Sequence, residues 1–276
     1  QLSAADIAAV TKPGRPASIQ GGIQVLPLFG TIAARANIMT ETSGGTSAEM
    51  FGKAFKQAMA DPNVGAIVMD VDSPGGETAG CMELADEIRA SREIKPSMAV
   101  VDSLTCSAGY ALASAATRMV ATPSSKIGSI GVYIMHVDMS GALGQAGIEI
   151  NYIEAPKGGM KTAGTSNRKL DRKTADYLQA FVDASYDEFV ALVVVNRGIE
   201  DAAVRETEGR VYRSDEALAL GLIDAVKTPT EAVSSFMAEL AGDVEPNEED
   251  EDMTDKTGTA AAPAATGTEV ASADQI

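Results

Sequence analysis

A hydroxyl, an amine and a pair of backbone amides are the chemistry this chain offers. Ser107 follows a short β-branched run (99–101) and an expected turn (102–106), and it opens a stretch of small helix-forming residues, 108–116. A serine at a strand-to-helix turn holds its hydroxyl at the helix N-terminus, where unpaired N–H groups favour negative charge. A nucleophilic oxygen, and the oxyanion made by its attack, would be stabilised there. Taken alone, such a serine is more often a helix cap. A second turn, Ser73-Pro74-Gly75-Gly76, follows an apolar strand expected at 64–71. Parallel strands present their carboxyl ends on one side. If these two strands are neighbours, the N–H groups of Gly76 and Ala108 can converge on one oxygen, the minimum for an oxyanion hole. Glycine suits that task because a residue without Cβ lets the backbone approach a substrate closely.

A nucleophilic serine needs a base. The chain has one histidine, His136, so a Ser-His-Asp triad could use no other. A lone histidine beside apolar residues is more often structural. The other base is a lysine, whose ordinary pKa of ~10.4 must fall by several units through burial before it can act at neutral pH. Lys157 and Lys161, in the loop 154–168 rich in Gly, Lys, Thr and Ser, are the candidates. On composition alone they read as solvated loop lysines.

Several elements must position these groups. A strand is expected at 23–32, with Pro27 at an edge or bulge, then a helix capped by Thr46-Ser47 and running to Ala60. Met50, Phe51, Ala54, Phe55 and Ala58 form its apolar face. The continuous apolar run 64–71 reads as a strand buried on both faces of a parallel sheet. A helix over 78–92 and a strand over 95–101 follow, and strand–helix–strand crossovers of this kind make an α/β layered fold. Further strands are expected at 118–121, 127–135 and 148–153, with a short helix near 140–146. The longest helix spans 171–196, ends at Arg197-Gly198, and carries a stripe (Leu178, Phe181, Val182, Ser185, Phe189, Leu192, Val193) that reads as core packing. Short elements at 202–206, 211–212, up to 220, 223–226 and 234–240 complete one domain over 23–240.

Two flanking segments read differently. Residues 1–22, polar and carrying Pro13 and Pro16, read as a flexible lead-in, and the start at Gln1 rather than Met suggests that something upstream was removed or omitted. Residues 241–276 read as a disordered acidic, Ala/Thr-rich tail, too polar to bury a core. The formal net charge is −17, of which −9 lies in 243–276, where ten acids face one Lys. That balance argues against nucleic-acid or anionic-membrane partners. No apolar run approaches 18 residues, so no membrane span is expected, and the start does not read as a signal peptide. Two cysteines, Cys81 and Cys106, suit a reduced compartment, and they and one histidine make no metal cluster. No cofactor is expected.

The residues so far resemble the protease IV, or signal peptide peptidase A, family of Ser-Lys peptidases, within the Clp-protease/crotonase superfamily. The resemblance runs through Asp72-Ser73-Pro74-Gly75-Gly76, Cys106-Ser107-Ala108-Gly109-Tyr110, Ala121-Thr122-Pro123 and Ile127-Gly128-Ser129-Ile130-Gly131-Val132. It continues in Lys161-Thr162-Ala163-Gly164, Gly209-Arg210-Val211-Tyr212, Ala217 and Gly221-Leu222-Ile223-Asp224, in the family's order. It implies a spiral of ββα units that assembles into a ring, with Ser107 as nucleophile, Lys161 as base, and Gly76 and Ala108 as oxyanion donors. Two departures stand out. The family's Ser-Gly-Gly is Ser107-Ala108-Gly109 here, and the longer Ser-to-Lys spacing keeps Lys157 open as the base. The acidic tail resembles the tailed-phage head proteins of this family, implying portal, scaffold or capsid proteins as substrates and a host-cytoplasmic or prohead location; Met253 could open an internal scaffold segment. Three other readings stand beside it: signal-peptide-peptidase-like peptide degradation in a bacterial cell, a crotonase-like acyl-CoA enzyme, and an inactive structural head protein. The acyl-CoA reading calls for a basic patch that this acidic chain does not offer.

Overall fold

Residues 22–36 and 44–242 are described in the computed structural model of the chain. The expected lead-in (1–22) and acidic tail (241–276) lie outside the described residues, apart from Gly22, Ala241 and Gly242. Strand β3 (Val64–Gly76) is the centre of the sheet, buried on both faces over most of its length because its residues are almost all apolar. Parallel to it on one side lies β1 (Gly22–Ala33), and on the other β4 (Ser97–Cys106). A two-residue strand, β2 (Thr46–Ser47), pairs with β1 only at Ile32 and Ala33. Pro27 therefore sits on a stretch of β1 paired on one side, where a missing N–H costs little.

Strand β4 carries two partners in succession. Its first half (Met98 to Val101) pairs with β5 (Arg118–Ala121), and its last residues (Leu104 to Cys106) pair with β6 (Lys126–Gly128). Beyond β6 lies the antiparallel β7 (Val211–Arg213), and beyond β5 the short β8 (Ala225–Val226). The sheet is parallel except where β7 joins it, with helices in the crossovers, which is the α/β layered fold expected.

The two faces of the sheet follow the period of two. Ile67, Met69 and Val71 point to the larger core, shared with α1 (Ala48–Ala60), α2 (Cys81–Ala90), α3 (Ala108–Ser114) and α5 (Arg172–Arg197). Ala66, Val68, Met98 and Val100 point the other way, where α8 (Pro229–Ala241) covers them with Ala232, Val233 and Phe236. Between these elements lie α4 (Ser140–Gln145), α6 (Asp201–Glu206) and α7 (Ser214–Ala219). Ser47 caps α1 by accepting from the Met50 N–H, whereas Met50 itself is more than half exposed and not on the buried face expected for it.

Three expectations are corrected. Residues 72–76 and 102–106 are not turns but the ends of β3 and β4, because Ser73 pairs with Thr105 and Gly76 with Ile32. The strands expected at 127–135 and 148–153 form only as far as Gly128; residues 129–139 and 148–155 have no regular structure. A strand needs a neighbour for its N–H and C=O groups, and among the described residues neither stretch has one. The apolar stripe of α5 is core only in its second half: Phe189, Leu192 and Val193 are buried, whereas Phe181 is exposed.

Candidate active site

Helix α3 is short and made of small residues, so it packs directly on the end of β3. All seven of its residues are buried. A Cβ at Gly109 would stand 3.1 Å from the Ser73 side chain and carbonyl, so glycine sets how closely helix and strand approach. Ser73 in turn donates through Oγ to the Gly30 carbonyl (2.6 Å) and accepts from the Gly75 N–H (3.1 Å). The buried Tyr110 hydroxyl fixes the other side of α3 by donating to the Leu222 carbonyl at 2.9 Å. Burial pushes that phenol's pKa well above its ordinary value.

Ser107 sits at the junction of β4 and α3 with φ +51° and ψ −127°. That left-handed conformation costs a non-glycine residue ~1–3 kcal/mol and persists only where the surroundings impose it. Here its N–H donates to the Gly128 carbonyl at 3.0 Å, and its carbonyl accepts from the Ala111 N–H at 3.0 Å. Its side chain makes no capping bond to the helix. The reading of Ser107 as an ordinary cap therefore fails, and its hydroxyl is left for other work. A strained strand-to-helix turn that presents a hydroxyl is the geometry of a nucleophile elbow.

Gly75 lies against this turn at φ +93°. A Cβ there would be 2.7 Å from the Ser107 Cβ and 2.8 Å from the Ala108 nitrogen. Gly76 is as confined: a Cβ there would collide with the Ile32 carbonyl oxygen. The bond that closes on that carbonyl comes from the Glu77 N–H (2.9 Å). Cys106, beside Ser107, is buried, and burial pushes its thiol up to about 11 despite the favourable charge of Lys126. A thiol so held carries almost no thiolate at neutral pH and is a poor nucleophile there.

Ser107, Gly75 and Gly76 open onto a cavity of 720 Å³. Its lining comes from Thr31 and Pro74, from 129–133, from Gln179, Val182, Asp183 and Tyr186 of α5, and from Glu208 and Gly209. That volume is in the range of sites that hold a ligand of several residues' side chains. The sequence reading missed the α5 wall. Its signal was there in the i, i+3, i+4, i+7 spacing of those four residues, but a mixed polar and apolar face does not stand out as a stripe.

Of the expected site residues, Ser107 and Gly76 line one cavity, and the Ala108 nitrogen lies against Gly75, the neighbour of Gly76. Lys157 and Lys161 lie on the exposed excursion that leaves β6 and returns at α5, and neither is among the residues lining the cavity. The excursion is pinned to itself: Met139 N–H donates to the Ser166 carbonyl (2.6 Å), and His136 Nδ1 lies 3.3 Å from the Gly164 carbonyl. His136 is likewise not part of the cavity lining. Among the described residues no group of His, Cys, Asp and Glu could hold a metal ion, and no helix is long and apolar enough to cross a membrane.

The model of peptidase family S49 matches residues 89–242, more than half of the chain. The chain belongs to peptidase family S49. It is 35% identical over 84% of its length to the head-tail preconnector protein GP5 of Enterobacteria phage P21, covering 46% of that protein. Capsid assembly protease C of Escherichia phage lambda is also 35% identical, over 81% of this chain and 50% of that protein. A putative signal peptide peptidase SppA of Enterococcus faecium is 28% identical over 67% of the chain and 54% of the relative. The chain thus spans about half the length of the curated relatives it matches. The S49 match takes in Ser107, both candidate lysines and all of α5, whereas the strand end Ser73 to Gly76 precedes it.

Proposed function

We propose that this S49 chain is a serine endopeptidase working through an acyl-enzyme, with Ser107 as nucleophile and Lys161 as general base, Lys157 being the alternative. The amine takes the Ser107 proton as Oγ attacks the peptide carbonyl, then gives it to the departing amine. The N–H groups of Gly76 and Ala108 hold the oxyanion, each worth ~3 kcal/mol of transition-state stabilisation. The same amine then deprotonates the water that releases the acyl group. The observation that carries this reading is the uncapped Ser107 hydroxyl, held at φ +51° over a cavity against which Gly75 leaves no room for a side chain.

A working base must be neutral, and both lysines are exposed in a single chain. A second copy supplies the cover in this reading. Tyr133 and Met135, then Ile148, Ile150 and Tyr152, are exposed residues of the excursion at alternate, strand-like positions, with Ile153 exposed beside them, and neither stretch has a partner strand among the described residues. A ring of chains that pairs these stretches would bury the lysine loop beside a Ser107, in the same chain or the next one. The phage relatives favour portal, scaffold or capsid proteins as substrates, cleaved in the host cytoplasm or the prohead.

Cleavage of such a protein, or of casein, by wild type, Ser107→Ala, Lys157→Ala and Lys161→Ala tests the assignment. Loss in Ser107→Ala and in one lysine variant supports the dyad; activity retained in both lysine variants rejects it. Mixing Ser107→Ala with the inactive lysine variant restores activity only if the dyad is shared between subunits.

A further inference from the structure

The amino-terminal half of α5 is not built as core. Of residues 172–188 only Thr174 is buried, while the face carrying Gln179, Val182, Asp183 and Tyr186 forms a wall of the Ser107 cavity. Gln179 Nε2 donates to Asp183 Oδ1 at 2.7 Å, which orients the carboxylate along that wall. The second carboxylate at the cavity is Glu208, held at φ +50° beside Gly209. Its cation, Arg210 at 3.3 Å, is an exposed partner that screens it weakly. Arg205 sits over the Tyr186 ring at 5.3 Å, but Asp187 (2.9 Å) and Asp201 (2.7 Å) already neutralise it. No Lys, Arg or His is among the residues that line the cavity. A peptide entering it meets two carboxylates, an apolar patch from Val182 and Tyr186, and no cation among the lining residues.

From this we infer that the cleft selects substrates carrying a lysine or arginine side chain close to the scissile bond, with Asp183 as the recognising carboxylate. The aliphatic stem of such a side chain lies along Val182 and Tyr186 while its charged head reaches Asp183. An acidic side chain at the same place is repelled by Asp183 and Glu208 together. The inference rests on the peptidase reading, and it assigns to α5 a role that core packing does not require.

The test walks one lysine, the neutral acetyl-lysine of the same shape, or a glutamate through each position of a cleavable peptide. It compares wild type, Asp183→Asn and Asp183→Lys as full chains. At one position wild type is expected to prefer lysine by about 5-fold in kcat/KM, the size of one partly exposed ion pair. Asp183→Asn is expected to erase that preference, and Asp183→Lys to turn it toward glutamate. Binding of the same peptides to Ser107→Ala, read by fluorescence anisotropy, should show the same order without any chemistry. A lysine preference unchanged in Asp183→Asn, or absent from wild type that still cleaves, overturns the inference alone. Cleavage persisting in Ser107→Ala overturns the peptidase assignment instead.

Discussion

The body of the molecule and the excursion between β6 and α5 stand in sharp contrast. In the body, β3, β4 and α3 meet with so little room that glycines at 75, 76 and 109 are each set by a neighbour within about 3 Å. The excursion has a similar share of apolar residues, yet it leaves Tyr133, Met135 and Ile153 in solvent and forms no strand. The proposed nucleophile and oxyanion donors belong to the first region, the candidate bases to the second. The difference teaches that half of the proposed catalytic apparatus is preorganised by the chain's own packing, and that the other half needs cover the single chain does not give it.

Changes that strike the body should cost the most. Gly75→Ala puts a methyl into the Ser107 turn at a positive φ, so a loss of about 3 kcal/mol in chemical denaturation is expected, together with loss of cleavage. Asp224 comes next. Burial alone would raise its pKa, but the hydrogen bonds and charge of Arg197 (2.6 Å), with the Met119 N–H, outweigh it and hold the carboxyl below its usual range. Asp224→Asn is expected to cost ~2 kcal/mol at neutral pH. A depressed carboxyl stabilises the fold above its unfolded pKa of ~3.9 and stops doing so as pH falls through the folded value. The gap between wild type and Asp224→Asn should therefore close below about pH 4, and a constant gap would remove the ion pair as its cause.

In the excursion the same kind of change should do little to the single chain. Ile153→Ser is expected to alter unfolding free energy by no more than ~0.5 kcal/mol, because an exposed side chain loses nothing on truncation. Its effect should appear in light scattering instead, as a shift toward smaller assemblies. If Ile153→Ser unfolds the chain as Gly75→Ala does, the two regions are not as different as their packing implies.

Much of the body was legible in the sequence. The run 64–71 reads as a buried strand because no polar residue interrupts it before Asp70, and Asp171 and Gly198 mark the ends of α5 as cap and left-handed stop. The strand ends were not legible. Pro74-Gly75-Gly76 has the composition of a turn, and only its pairing with Ile32, a tertiary contact, makes it strand. The excursion failed in the opposite direction, since the strands expected at 127–135 and 148–153 find no partner beyond Gly128 among the described residues. Of the site, Ser107 and Gly76 could be named from the motifs that carry the S49 resemblance. Asp183 could not, because nothing in a mixed helical face says which side will border a cavity.

The central claim is that the Ser107 hydroxyl is the reacting group. Treating the assembled full-length protein with a fluorophosphonate and mapping the adduct by peptide mass spectrometry tests it directly. The expected result is a single stoichiometric adduct on Ser107, lost in Ser107→Ala and suppressed when the working lysine is replaced by alanine. An active preparation that carries no adduct at Ser107, or carries it on another residue while cleavage stops, would contradict the account.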